Sequence, residues 1–255
     1  MPEHELPASV RVALWGTAVL GGRLPVRRLP AAALPDVDEC VGLVEQVSLW
    51  AGLGERALLV ALPRPGDLSG MPRSSPELVA AATAAEECVV VPGLGGALVP
   101  ELTEYGPPGD RGWQATWTAY PAEPFPTHRV EALDLGGLEL RLRTELAGLT
   151  EELASSGAPP FGAVAERGAA RAREAASGAR RWGLPEDLPP RGLRILDLAG
   201  TVLALADAGL DTVTSSLDST TVVRRDELLR QLRSTAARAL ADATNASALH
   251  LAYRA

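Results

Sequence analysis

The sequence predicts an α+β fold: a small mixed sheet with one βαβ unit and flanking helices, followed by a C-terminal helical bundle. Three observations predict it. Residues 56–105 read, without a break, as strand, loop, helix, strand and tight turn. The segment WQATWTAY (Trp113 to Tyr120) alternates strictly. It places Trp113, Ala115, Trp117 and Ala119 on one face and Gln114, Thr116, Thr118 and Tyr120 on the other, the pattern of a half-buried antiparallel strand. Past Pro126 the pattern changes to long runs of leucine and alanine at helical spacing. The expected domains are 1–126, with the mixed sheet, and 127–255, helical.

The composition bounds the function. With 46% hydrophobic and 22% charged residues among 255, the chain is globular and long enough for one large domain or two ordinary ones. It has no lysine; all 24 basic residues are arginine, as codon bias in a GC-rich genome would give. Residues 1–145 hold 19 acids and 11 arginines, a net of −8, while residues 146–255 hold 13 of each. A net-acidic surface repels phosphate backbones at long range, so nucleic acid is disfavoured as a partner. Cys40 and Cys88 stand in apolar surroundings, as buried thiols of a reducing compartment do. The first segment carries Glu3 and Glu5 where a secretory leader carries basic residues, and no A-x-A pattern follows. The most apolar later helix contains Asp197 and Asp207, too polar for a membrane span. The expectation is a cytoplasmic protein with no membrane contact.

Taken in order, the first helix is expected over about residues 7–20, with Val10, Leu14 and Ala18 on one stripe and Gly21-Gly22 stopping it. The proline-rich segment after it should not form a regular helix. A second helix is expected to start at Asp36, with Glu39 completing a capping box and Gly52-Leu53-Gly54 ending it.

The central stretch follows. Residues 56–62 form an apolar run suited to a strand buried on both faces. Pro63-Arg64-Pro65-Gly66-Asp67 must turn, since two prolines fix φ and Gly66 permits a positive φ. Ser75 caps a helix, with Pro76 at its first position and Glu77 behind it, that runs to about Glu86. Residues 88–91 make the next strand. Strand, helix and strand in this spacing predict parallel neighbours joined by a right-handed crossover. The Gly93-Leu94-Gly95-Gly96 turn, a strand to Tyr105, and Trp113 to Tyr120 complete an expected four-stranded sheet.

Pro121 to Pro126 is the expected boundary. Residues 130–143 alternate like a hairpin, but Leu138, Leu142, Leu146, Leu149 and Leu153 fit a helix over about 138–155. Further helices are expected at 161–182, at 190–209, where apolar residues occur almost all round, and at about 226–252. Short Gly/Pro connections suit a bundle.

Common catalytic constellations are missing. The Gly93–Gly96 turn matches the first two glycines of a dinucleotide fingerprint, but the third position is Leu98 and a strand follows where a helix is needed. Asp67 stands where a nucleophile elbow on Ser69 would need glycine. The three histidines (His4, His128, His250) lie far apart, and no Cys/His spacing suits zinc. Glu86-Glu87, Glu101 and Glu104 could pair for acid–base work or Mg²⁺, but edge-strand solubility explains them better. Asn245-Ala246-Ser247 is a sequon without meaning in a cytoplasmic protein.

One loop remains as a ligand candidate. Residues 63–75 leave the carboxyl end of the first strand, where open α/β sheets bind ligands, and end at a helix N-terminus that favours an anion. The candidate residues are Arg64, Asp67, Ser69, Arg73 and Ser74, with Gly93, Gly95 and Gly96 beside them if the strands are neighbours. A basic run at Arg167, Arg171, Arg173, Arg180 and Arg181 is the third candidate surface, read as a solvated, salt-bridged face.

LVALPRPGD and VVVPGLGGALVPE resemble segments of uncharacterised proteins from high-GC Gram-positive bacteria. The resemblance implies no activity and carries no functional residue over. The expected function is therefore that of a non-enzymatic protein acting through a second copy of itself or a protein partner. The alternatives are an enzyme or sensor of a small phosphorylated anion at the 63–75 loop, or a nucleic-acid-associated regulator. The sequence points to no cofactor.

Overall fold

The computed structural model describes residues 6–107, 110–126, 128–155, 183–211 and 219–253. It is an α+β protein: a five-stranded mixed sheet flanked by helices, with long helices at the C-terminus. Helix α1 (Ala8–Leu20) is followed by a 3₁₀ turn (Val26–Arg28), α2 (Leu29–Ala33), β1 (Glu39–Val41), α3 (Leu43–Gly52) and β2 (Leu59–Ala61). Then come α4 (Pro76–Ala85), β3 (Cys88–Val90), β4 (Ala97–Tyr105) and β5 (Gly112–Tyr120). The second half holds α5 (His128–Glu131), α6 (Leu135–Ser155), α7 (Pro190–Leu210) and α8 (Ser219–Tyr253). The expected helix at 161–182, with its five arginines, lies outside the described residues. Among the described residues no helix is long and apolar enough to cross a membrane.

The sheet order is β1-β5-β4-β3-β2. Three neighbouring pairs are antiparallel and β1 runs parallel to β5. The fifth strand, β1, corrects the expected second helix start. Asp36 is taken by Arg11, whose Nη1 donates to it at 2.8 Å, and Asp38 accepts from the main-chain N–H of Trp113 at 2.8 Å. With both acids engaged elsewhere, residues 39–41 pair with 114–116, and α3 begins only after Gly42. Gly42 is left-handed (φ 84°), and a Cβ there would strike the Trp117 carbonyl, so the strand-to-helix switch requires glycine.

The βαβ unit is also corrected. Its strands are neighbours, but β2 and β3 are antiparallel, Ala61 opposite Cys88 and Leu59 opposite Val90. The reason lies in the loop. After Ala61 the chain runs back along the sheet in irregular conformation. It reaches the opposite end by residues 73–74, where Glu123 N–H donates to the Arg73 carbonyl at 2.9 Å and Ser74 bridges Ala122. Helix α4 then brings the chain to the end where β2 finished, so β3 enters in the opposite direction. Ser75 accepts from the Leu78 N–H as the expected cap.

The expected helix at 138–155 forms and begins slightly earlier. Asp134 accepts from the N–H groups of Gly136 and Gly137 at 2.9 and 2.8 Å, satisfying two orphan donors of its first turn. Helices α7 and α8 pack antiparallel. Gly192 faces Ser247 at one end, and Gly209 faces Leu229 at the other. The side chain of Arg225 donates to the Gly209 carbonyl at 2.7 Å, capping the end of α7. Helix α8 also lies against α1 and β2. One hydrophobic cluster therefore joins Leu14, Leu59 and Val60 of the first half to Leu196, Leu240 and Leu249 of the second.

Candidate functional site

The loop after β2 opens with a tight turn. Arg64 and Asp67 exchange both main-chain hydrogen bonds (2.7 and 2.9 Å), with Pro65 and Gly66 at the corner. The φ of Gly66 is 85°, the positive value that a type II turn needs at its third residue. The turn presents Arg64 inward and Asp67 toward α8.

Arg64 is nearly buried, its side chain 11% exposed, and its guanidinium pairs with Glu86 at the end of α4. Glu86 also receives two hydrogen bonds from Arg233 of α8, at 3.1 and 2.6 Å. Arg233 in turn donates through Nε to Asp207 of α7. Four alternating charges thus run from the loop through α4 and α8 to α7. Burial, and then the nearby Arg233 cation, lower the Arg64 pKa to about 10. Asp67 accepts from the Ser69 N–H at 3.0 Å and from Ser234 Oγ at 3.2 Å, with Arg238 Nε 3.9 Å away. Hydrogen bonds from the Ser69 hydroxyl and N–H hold its carboxyl below the usual range, helped by Ser234 and Arg238.

Glu87, next along, is buried and accepts from the Ser9 N–H at 2.6 Å. Ser9 lies in the first turn of α1, so this carboxyl caps that helix. Burial pushes its pKa up, against the pull of Ser9, Arg11 and Arg64. Glu86 and Glu87 are therefore structural partners, not solubility charges on a sheet edge.

The remaining candidates lie at the other end of β2 and β3. Arg73 and Ser74 join the main chain of Ala122 and Glu123 there. Gly95 (φ 80°) packs against the Ala122 carbonyl so closely that a Cβ has no room. The Leu94 N–H donates to the carboxylate of Glu55. A Cβ on Gly93 would stand 2.7 Å from that same carboxylate. The turn is thus already supplied with an anion by its own chain. The structure brings Arg64, Asp67 and Ser69 together at one end, and Arg73, Ser74, Gly93, Gly95 and Gly96 at the other.

Sequence reasoning missed Glu55, Arg233 and Asn245. Asn245, the chain's single asparagine, is buried on α8. Its Nδ2 donates to the Val60 carbonyl at 2.9 Å, and its Oδ1 accepts from the Val60 N–H at 2.7 Å. It pairs with β2 as another strand would, closing the sheet's open edge. A lone asparagine in an alanine-rich helix was the available signal; the sequon obscured it. Among the described residues no group of three His, Cys, Asp or Glu could hold a metal ion.

By fold and site this is an α+β protein whose C-terminal helices close over a loop and an open edge of a mixed sheet. The chain belongs to the Rv1486c-like protein family: the family's N-terminal domain matches residues 9–132 and its C-terminal domain residues 136–241. No curated protein and no solved structure matches the chain.

Proposed function

We propose that the protein is non-enzymatic and acts through contacts with a second copy or a protein partner, made by the β1–α3 side. The observation that carries this reading is a set of exposed apolar side chains along β1 and α3. Leu49 on α3 and Leu53, just past its end, are 54% and 58% exposed, and Val41 on the outermost strand β1 is 44% exposed. Apolar groups beside a strand edge that has no partner among the described residues favour burial in an interface. The internal pairing of Arg64, Asp67 and the Gly93–Leu94 turn supports the same reading, because these groups are committed to the fold. An anion-binding enzyme or sensor would be left with Arg73 and Ser74 at the start of α4.

Sedimentation velocity tests the subunit form. The expected result is concentration-dependent association that L49E/L53E abolishes while the melting temperature stays unchanged. A chain that stays monomeric at every concentration, with or without these substitutions, removes the subunit reading.

A further inference from the structure

We propose that the cavity between α5, the start of α7 and the end of α8 binds a small amphipathic amine. The cavity, open to solvent on one side, has a volume of about 400 Å³, within the range of small-molecule sites. It has depth. Val130 and Leu249 on its wall are 5% and 7% exposed, whereas Tyr253 is 57% exposed. Leu135 adds to the apolar wall, and Glu131, His250 and Tyr253 supply its polar groups. His250 and Tyr253 stand one turn apart on α8, and the short helix α5 sets Glu131 in the same lining. The sequence separates Glu131 from His250 by most of the helical half; the fold brings them into one cavity.

Charge decides the ligand class. Glu131 is exposed and has no ion pair among the described residues. Glu139, on the following helix, instead holds both Arg143 and Arg194 at 3.1 Å. An unpaired carboxylate at the exposed side of a largely apolar cavity favours a cation over an anion, and the Tyr253 ring favours a cation as well. An alkyl or aryl chain would lie along Val130, Leu135 and Leu249, with its ammonium group toward Glu131. This reading is independent of the α3 face.

Calorimetric titration of the whole chain with octylamine, octanoate and octanol, each below its micellar concentration, tests it. Octylamine binds most tightly. Glu131→Gln weakens octylamine about fivefold, the effect of an exposed ion pair, and leaves octanol unchanged. Ala246→Phe fills the cavity and abolishes binding of all three. If Ala246→Phe prevents folding, methyl resonances of the unaltered protein give the same answer: octylamine shifts those of Val130, Leu135 and Leu249. Absence of octylamine binding, octanoate binding as tightly, octylamine retained in a folded Ala246→Phe variant, or shifts confined to other methyls each overturns the proposal.

Discussion

At the scale of single residues, the fold depends on polar groups that stand in for secondary structure. Asn245 is the clearest. It satisfies both main-chain groups of Val60 on an edge strand that is otherwise covered by a helix, and a helix offers the strand no main-chain partners of its own. Replacing it by alanine leaves a buried donor and a buried acceptor unpaired. Asn245→Ala should cost about 2–4 kcal/mol in denaturant-induced unfolding. Asn245→Asp keeps the acceptor for the Val60 N–H but sets a carboxylate against the Val60 carbonyl, so it should be no better than alanine at neutral pH. An alanine variant as stable as the parent chain would show that the pairing contributes nothing net. At 4% exposure Asn245 is also inaccessible as a glycosylation acceptor in the folded chain.

At the scale of elements, the loop at 63–75 is held by other elements more than by its own turn. The turn chemistry of Pro65-Gly66 and the Ser75 cap were legible because they are local: each depends on residues within four positions. The strand alternation in β5 and the leucine spacing in α6 and α7 were legible for the same reason. The direction of β3 was not, because it depends on where residues 73–74 pair, and Ala122 and Glu123 lie some fifty positions away. Strand β1 was hidden by Asp36 and Glu39, which imitate a capping box while the tertiary partners Arg11 and Gln114 take their side chains. The candidate residues were legible only as local turns, not in their placement: Arg64, Asp67 and Ser69 lie at one end of β2 and Arg73, Ser74 and the Gly93–Gly96 turn at the other, and Arg233 and Glu55 engage them from elsewhere in the chain. The arginine makes a definite prediction. Arg233→Met leaves Glu86 and Asp207 without their shared cation, and both are partly shielded from solvent. The variant should lose about 1–2 kcal/mol, less than for a fully buried pair. Hydrogen exchange should quicken at residues 64–69 and stay unchanged in the β4–β5 hairpin, which α8 does not hold. Uniform quickening across both would mean that Arg233 supports the fold generally and not the loop.

At the scale of the whole molecule, the two family domains meet through α8. This helix packs on α6 and α7 along one side, and on α1 and β2 along another. Leu240, fully buried, belongs to the same cluster as Leu14 and Leu59, and burying one such side chain contributes roughly 1.5–3 kcal/mol. The four-charge chain from Arg64 to Asp207 and the Asn245–Val60 pair cross the same boundary. A half without α8 would expose the edge of β2, strand residues 59–61 that are buried on both faces, and the inner face of α1. The molecule should therefore unfold as one cooperative unit, even though its sequence changes character near residue 126. Calorimetry should show a single transition whose van't Hoff and calorimetric enthalpies agree. A chain ending at residue 132 should lack that transition and aggregate through its open strand edge. Two separated transitions, or a folded and monomeric 1–132 fragment, would show that each half closes its own core, and that the contacts made by α8 join domains already complete.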